Sequence, residues 1–262
     1  MMILKDIKEY VNLKKRTLRY RVSQLPQAPK LAIIQIGNNP ASTRYVRNKI
    51  KDCQEVGIDG DIYAYPENMT EWELDDEINH LQEFYDGVIV QLPLPPHIRS
   101  SIATAAIDPQ KDVDGFRNDS QFIPATPKGI MDYLDWCEFD VEGKFVVVIG
   151  RSEIVGKPMA KLLLEKNATV AVCHSHTAQD DMGILLATAD LVVCAVGKAE
   201  FLDCYRTTAP VIDVGINFDE NGKLVGDCYN TEGKDVTPVP GGVGLLTRVA
   251  LLENVIIAKE GK

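Results

Sequence analysis

The chain has 262 residues, of which 45% are hydrophobic and 25% are charged, a composition typical of one or two globular domains. Its formal net charge of −10 and isoelectric point near 4.9 argue against nucleic acid or an anionic membrane as the main partner, because both require a basic protein surface. The N-terminus lacks the apolar segment of a signal peptide, and no apolar run approaches the roughly 20 residues that span a bilayer. We therefore expect a cytoplasmic protein, with its six scattered cysteines reduced.

The first half of the chain predicts alternating strands and helices. Apolar runs that end in glycine or proline predict buried strands, and the strand ending at Gln91 must stop at the prolines that follow, because proline lacks an amide proton. In order, the predicted elements are the strand KLAIIQIG (30–37), a helix from a cap at Ser42 to a stop at Gly57, the strand GDIYAYP (60–66), a helix in EWELDDEINHLQEF (71–84), the strand DGVIVQ (86–91) and a short helix in RSSIATAAI (99–107).

The second half predicts the same alternation after a proline-rich connection. Alternating strands and helices favour a parallel α/β architecture in two lobes. In order, the predicted elements are a helix in FIPATPKGIMDYLDWCEF (122–139), the strand KFVVVIG (144–150), the helix KPMAKLLLEKN (157–167), the strands ATVAVCHS (168–175), ADLVVCAVG (189–197) and APVIDVGIN (209–217), and a final helix in the segment 236–260.

The segment GRSEIVGKP (150–158) predicts a phosphate-binding loop between a strand and a helix. A triphosphate loop has four residues between its glycines and a Ser or Thr after its Lys. Here five residues separate Gly150 from Gly156, and Pro158 replaces the hydroxyl residue. A dinucleotide fits better, because a second predicted strand follows to complete a βαβ unit and the helix N-terminus attracts phosphate.

The end of the next predicted strand indicates which dinucleotide binds. NAD-binding loops usually carry an acid there, whereas this chain has CHSHT (173–177). Arg151 and Ser175 therefore favour the 2′-phosphate of NADP, with a solvated loop charge as the alternative interpretation of Arg151. A metal site at His174 and His176 is disfavoured, because no third ligand stands nearby in the sequence.

Three further features lie at or near predicted strand ends in the first half of the chain. Tyr45 and Lys49 are four residues apart and share one helix face, Gln91 ends a strand, and Asp114 lies in KDVDG (111–115). The Y-x-x-x-K pattern also occurs in short-chain dehydrogenases, but there it follows the cofactor loop, whereas here it precedes that loop. That order argues against such an enzyme.

Taken together, nine segments from about Leu31 to Asn254 resemble the bifunctional methylenetetrahydrofolate dehydrogenase/methenyltetrahydrofolate cyclohydrolase family. QLPLP and TPVPGGVG are the most specific of these strings. In order, the segments are NPASTRYVRNKIKDCQEVGI, DGVIVQLPLPPHI, KDVDGF, PATPKGI, VVVIGRSEIVGKPMAKLL, HSHT, ADLVVCAVGK, VIDVGIN and TPVPGGVGLLT.

The resemblance implies oxidation of a methylene folate by NADP, followed by hydrolysis of the methenyl product. It assigns proton handling to Lys49, orientation of that amine to Gln91, stacking on the folate rings to Tyr45, and acceptance of hydrogen bonds from the pterin to Asp114. Further folate-contacting positions are Leu92, Pro93, Pro240, Gly241 and Gly242. The positions implied for the dinucleotide are Gly150, Arg151, Ser152, Ile154, Ser175, Ile216 and Thr247.

The resemblance also implies a homodimer of two-domain chains. We expect a folate-binding domain over residues 1–121, a Rossmann-like NADP-binding domain over 122–245, and a C-terminal helix, 246–262, that packs back on the first domain. Two rival functions stay open at this point: a dehydrogenase without cyclohydrolase activity, and a catalytically silent dinucleotide-binding regulator. The joint presence of Lys49, Gln91 and Asp114 argues against both.

Overall fold

Two parallel β-sheets organise the chain, as described for residues 3–261 by a computed structural model. By their contacts, Asn12–Ala125 and the segment from Arg248 form one unit around three strands, here called the three-stranded unit. Thr126–Thr247 and the N-terminal segment up to Val11 form the four-stranded unit. The predicted two-lobe α/β fold is confirmed.

The expected domain boundaries differ from this division at the N-terminus. The segment before Val11 belongs to the four-stranded unit because the amides of Ile3 and Leu4 donate to the Asp235 carboxylate and Tyr133 donates to the carbonyl of Lys5. Residues 1, 2 and 262, which the expected domains included, lie outside the described residues. The domain boundaries themselves stay a prediction.

The three-stranded unit has strand order β2-β1-β3 with every pair parallel. Side chains on one face of β1 pack with helices α1, α2 and α8, and those on the other face pack with α3 and α4, so β1 is buried on both faces. Its elements are α1 (Ile7–Ser23, from Asn12 onward), β1 (Lys30–Ile36), α2 (Pro40–Val56), β2 (Asp59–Tyr65), α3 (Glu71–Gln82), β3 (Gly87–Val90), α4 (Ser100–Ala105) and α8 (Val243–Glu260, from Arg248 onward).

Helix α2 begins earlier than predicted. The Asn39 side chain accepts the amide of Ser42 at 3.2 Å, and Pro40 occupies the first helical position, where its missing amide proton costs nothing. The predicted cap at Ser42 is therefore wrong, because Ser42 already lies inside the helix.

The four-stranded unit has strand order β5-β4-β6-β8, again parallel throughout. Helix α7 was not predicted, and two small two-stranded sheets, β9/β10 and β7/β11, lie outside the main sheet. Its elements are α5 (Ala125–Trp136), β4 (Phe145–Ile149), α6 (Gly156–Glu165), β5 (Thr169–Cys173), α7 (Gln179–Thr188), β6 (Leu191–Cys194), β7 (Leu202–Asp203), a 3-10 turn (Cys204–Arg206), β8 (Val211–Asp213), β9 (Asn217–Phe218), β10 (Leu224–Val225) and β11 (Cys228–Tyr229).

Each sheet has a topological switch point. In the three-stranded unit the chain passes from β1 to β2 on one side and then to β3 on the other, and β4, β5 and β6 repeat this pattern. Loops at the carboxyl ends of strands diverge at such a point and leave a crevice, which is where open α/β sheets bind ligands. The switch points lie beyond β1 and β3 in one unit, and beyond β4 and β6 in the other.

No helix among residues 3–261 combines the length and the apolar character needed to cross a membrane. The same residues contain no group of three or more His, Cys, Asp or Glu side chains placed to hold a metal ion. All six cysteines are free thiols, five of them buried and Cys228 half-buried.

The side chain of Asn254 supplies the first prediction. Asn254 is 1% exposed on α8, and its amide nitrogen donates to the carbonyls of Val113 at 2.9 Å and Ile123 at 3.1 Å. Asn254→Ala leaves both carbonyls without this donor, so we expect the free energy of unfolding, measured in urea, to fall by about 2 kcal/mol.

The matched control is Asn79→Ala on α3, where the exposed side chain bonds only other exposed groups. We expect this change to alter the free energy of unfolding by less than about 0.5 kcal/mol. Equal losses in the two variants would contradict a special role for Asn254.

Candidate functional site

Helix α2 is fixed at the carboxyl end of β1 by a buried glutamine. Gln35 is 6% exposed, and its amide nitrogen donates to the Thr43 hydroxyl at 2.7 Å. This bond holds the first turn of α2 against the strand end, next to the switch point of the three-stranded sheet. Tyr45 and Lys49 follow on the same helix, one turn apart.

Lys49 is a buried amine with two compensating partners. Its side chain is 4% exposed, and Nζ lies 3.6 Å from Asp114 Oδ2 and 5.2 Å from the centroid of the Tyr45 ring. A buried cation is strongly destabilising unless it is paired, and here a carboxylate and the face of an aromatic ring supply the pairing. The structure therefore brings together three of the four predicted catalytic side chains.

Tyr45 presents a neutral aromatic ring at this site. Burial, together with the neighbouring Asp114 carboxylate, raises the pKa of the Tyr45 hydroxyl well above its usual value. The ring is half-buried, so part of its surface stays accessible to a flat ligand.

The loop that carries Asp114 is held from both sides. Asn254 binds the carbonyl of Val113, and Gly115 adopts φ +72°, a conformation in which a Cβ would lie 2.7 Å from the backbone of Pro124. Asp112, which is 1% exposed, accepts the amide of Arg117 at 2.8 Å, and burial raises the pKa of this carboxyl. These contacts fix the position from which Asp114 reaches Lys49.

Gln91 follows β3 at the same edge of the sheet, but it does not bind Lys49. Its amide nitrogen donates to the carbonyl of Leu92 at 2.8 Å, while its Oε1 is buried and has no hydrogen-bond partner among residues 3–261. The expected bond to Lys49 is absent because the amide group is turned toward Leu92. A buried acceptor without a donor is costly, so Oε1 offers a site for a donor on a ligand. The peptide bond between Leu92 and Pro93 is cis.

Sequence reasoning missed a second charged cluster beside Lys49. Asp52 is 3% exposed, and its two oxygens lie 2.5 Å from Lys15 Nζ and 2.8 Å from Arg248 Nη1. The sequence spacing could have indicated this cluster, because Asp52 lies three residues after Lys49 and therefore on the same face of the helix. This cluster ties α1, α2 and α8 together about one helical turn after Lys49.

In the four-stranded unit, the predicted phosphate loop follows β4 at the switch point. Gly150 adopts φ +115°, and a Cβ there would overlap the carbonyl of Ala195, which begins the loop after β6. Only glycine permits this approach. The Ser152 hydroxyl accepts the amides of Val155 and Gly156, both at 3.3 Å, at the point where α6 begins.

The amides of this loop are free to bind an anion. Within residues 3–261, the backbone N–H groups of Arg151, Ser152, Glu153 and Ile154 make no hydrogen bond. The exposed guanidinium of Arg151 also has no hydrogen bond or ion pair in this range. Lys157, in contrast, pairs with Glu153 on the surface. Four unpaired amides and a free cation at a helix N-terminus fit a phosphorylated ligand.

The remaining predicted dinucleotide positions lie on separate elements of the same unit. Ser175 is exposed in the loop after β5, Ile216 is 59% exposed in the loop after β8, and the Thr247 hydroxyl lies 3.0 Å from that of Thr126. The turn Pro240–Gly242 precedes α8, with Gly241 at φ +98°. The loops after β4, β5 and β8 share one edge of the sheet, because the strands are parallel.

Comparison with known proteins matches both units to one family. A sequence profile described as the tetrahydrofolate dehydrogenase/cyclohydrolase catalytic domain matches residues 2–114, and a profile described as the NAD(P)-binding domain of the same enzymes matches residues 124–262. The bifunctional protein FolD of Polaromonas naphthalenivorans is 46% identical over 249 residues, which cover 88% of each chain.

Solved structures show the same similarity. The bifunctional FolD methylenetetrahydrofolate dehydrogenase/cyclohydrolase of Campylobacter jejuni superposes with a TM-score of 0.92 at 40% identity and 98% coverage of both chains. The FolD of Trypanosoma brucei, described as complexed with NADP cofactor and inhibitor, superposes with a TM-score of 0.91 at 32% identity, over 98% of this chain and 97% of that one. The family predicted from the sequence is confirmed: the chain belongs to the tetrahydrofolate dehydrogenase/cyclohydrolase family.

Proposed function

We propose that this chain oxidises methylenetetrahydrofolate with NADP and then hydrolyses the methenyl product to formyltetrahydrofolate. The observation that carries the proposal is the buried amine of Lys49, 3.6 Å from Asp114 and over the Tyr45 ring, in a member of this family. The unpaired amides after β4 support a phosphorylated cofactor in the same chain.

The folate is held by groups that match its chemistry. The pterin edge presents adjacent N–H donors, which suit the carboxylate of Asp114 and the unpartnered Oε1 of Gln91. The half-buried Tyr45 ring stacks on the flat folate rings. Leu92 and Pro93 follow Gln91 at the same edge of the three-stranded sheet.

Lys49 handles protons in the hydrolytic step. Water attacks the methenyl carbon, and the proton that this water loses passes to the amine of Lys49. The resulting ammonium returns this proton to the ring nitrogen as the bond from that nitrogen to carbon breaks. The hydroxyl group of the adduct then loses its own proton to solvent as the formyl C=O forms. Asp114 stabilises the ammonium of Lys49 between its two proton transfers. Because Lys49 is almost fully buried, bulk solvent has little access to its amine.

The residues after β4 and β5 fit NADP. When bound, the nicotinamide accepts the hydride that leaves the methylene carbon. Arg151 and Ser175 hold the 2′-phosphate, since a guanidinium and a hydroxyl both donate to phosphate oxygens and neither has another partner among residues 3–261. Gly150 and the amides of Ser152 and Ile154 receive the pyrophosphate. Ile216 and Thr247 line the rest of the dinucleotide.

We also propose that the protein acts as a homodimer in the cytoplasm, an inference that rests on the family resemblance. Analytical ultracentrifugation distinguishes a dimer from a monomer of 29.0 kDa. A monomer at micromolar concentration would contradict the proposed assembly.

A direct assay tests the function. The protein is incubated with methylenetetrahydrofolate and either NADP or NAD, and absorbance follows the reduced nicotinamide, while hydrolysis of methenyltetrahydrofolate is followed separately. We expect both activities, with NADP preferred. Absence of cofactor reduction would contradict the enzyme, and reduction without hydrolysis would leave only a dehydrogenase.

Substitution of Lys49 tests its role in proton handling. Lys49→Met keeps the length of the side chain but removes the amine, so we expect cyclohydrolase activity to fall by about a hundredfold or more, the contribution typical of general acid–base catalysis. Folate binding, measured by fluorescence titration, is expected to remain detectable.

Lys49→Arg serves as the matched variant, because it keeps the positive charge beside Asp114 but does not lose its proton. We expect it to bind folate and still lack hydrolysis. Normal hydrolysis by either variant would show that Lys49 does not transfer the proton.

Substitution of Arg151 tests cofactor selection. Arg151→Ala removes the cation proposed for the 2′-phosphate, so we expect the KM for NADP to rise about tenfold or more while the KM for NAD changes little. Lys157→Ala is the control, since this exposed lysine already pairs with Glu153. An equal rise for NADP and NAD in Arg151→Ala would instead indicate general pyrophosphate binding.

A further inference from the structure

A fully buried carboxylate holds the loop after β6. Asp227 is 0% exposed, and its Oδ2 accepts the backbone amides of Val196 at 2.7 Å and Gly197 at 2.9 Å. Its Oδ1 accepts the amide of Lys198 at 2.8 Å. Three consecutive N–H groups thus converge on one side chain, while the residues that carry them are exposed. The loop is open to solvent on one side and anchored on the other.

The same carboxylate reaches the loop after β8. Asp227 Oδ1 accepts the side-chain amide of Asn217 at 2.9 Å, and the backbone amide of Asp227 donates to Asp213 Oδ1 at 2.9 Å. Asp213 Oδ1 also accepts the amide of Gly215 at 2.9 Å. Ile216 lies between Gly215 and Asn217, so both neighbours of this exposed residue are tied to the buried pair.

A third loop depends on these two by direct packing. The carbonyl of Ala195, immediately before the anchored amides, occupies the space where a side chain on Gly150 would lie. A shift of the loop after β6 therefore displaces the backbone that precedes the unpaired amides of the phosphate loop. Asp227 thereby controls loops after β4, β6 and β8 at the switch point of the four-stranded sheet.

We infer that Asp227 is a positioning residue for NADP, which it never contacts, because its carboxylate fixes the loops that contact the dinucleotide. The inference rests on the proposed function. A carboxylate is required because its two oxygens accept four N–H groups, whereas a side-chain amide has one acceptor oxygen and would place its own N–H₂ against the loop amides. None of these bonds involves the Lys49 site, so hydrolysis of methenyltetrahydrofolate is independent of them.

The test is Asp227→Asn, with NADPH binding and the two activities measured on the same preparation. We expect the Kd for NADPH to rise about tenfold or more, the loss expected for hydrogen bonds to a charged group, with a matching rise in the KM for NADP. Cyclohydrolase kcat and KM, assayed without nucleotide, are expected to stay within about twofold of wild type. General destabilisation of the protein would lower cyclohydrolase activity as well. Unchanged cyclohydrolase activity therefore distinguishes loop positioning from a loss of stability.

Asp190→Asn is the matched control. This carboxylate also accepts a backbone amide, that of Phe145 at 2.8 Å, but at the opposite end of β4. We expect wild-type NADPH affinity in this variant. Equal losses in both variants would overturn a specific role for Asp227.

Asn217→Ala keeps the inference testable if Asp227→Asn does not fold. It removes one bond to the carboxylate and leaves the three loop amides in place, so we expect the Kd for NADPH to rise about threefold. Wild-type affinity for NADPH in either variant, whichever of the two folds, would overturn the role of Asp227 but leave the proposed function intact. Failure of the wild-type protein to bind NADPH would overturn the proposed function, and the inference with it.

Discussion

Buried carboxylates that accept backbone amides hold the ligand-facing loops of both units. A loop that borders a ligand crevice cannot pair all of its N–H groups with its own carbonyls, and a buried carboxylate that accepts these N–H groups holds the loop in place. Asp112 accepts the amide of Arg117, just after Asp114, and Asp227 accepts the amide of Lys198 in the loop after β6. Fixing these loops holds Asp114 beside Lys49 and holds the backbone of Ala195 against Gly150, which precedes the phosphate loop.

Local pairing of buried carboxylates also explains how an acidic chain maintains sites for anionic ligands. The chain carries a formal net charge of −10, and its buried carboxylates are matched locally by amides or cations. Asp52 lies between Lys15 and Arg248, and Asp114 faces Lys49. Local pairing leaves Arg151 as an exposed cation with a free guanidinium within residues 3–261, so attraction of a phosphate does not require a basic protein.

The sequence predicted most of the fold, but not the hydrogen bonds and ion pairs that surround the candidate site residues. Buried strands are unambiguous in runs such as KFVVVIG, and proline marked the end of β3 correctly. Helix α7 was missed because a glycine interrupts it and only Met182 and Leu186 are buried. Asp227 binds residues that are distant in the sequence, whereas Gln91 Oε1 has no partner within residues 3–261. No local sequence pattern predicts either feature.

The three-stranded unit is discontinuous, and this has a consequence for folding during synthesis. Its core includes Ala250, Leu251 and Val255 of α8, which the ribosome adds more than a hundred residues after Ala125. Until α8 emerges, the face of β1 that also packs with α1 and α2 is only partly covered, and the carbonyl of Val113 lacks its donor, Asn254. While the intervening residues are synthesised, this apolar surface is accessible to chaperones and prone to aggregation. The site around Lys49 and Asp114 is therefore completed last, after the four-stranded sheet has already been synthesised.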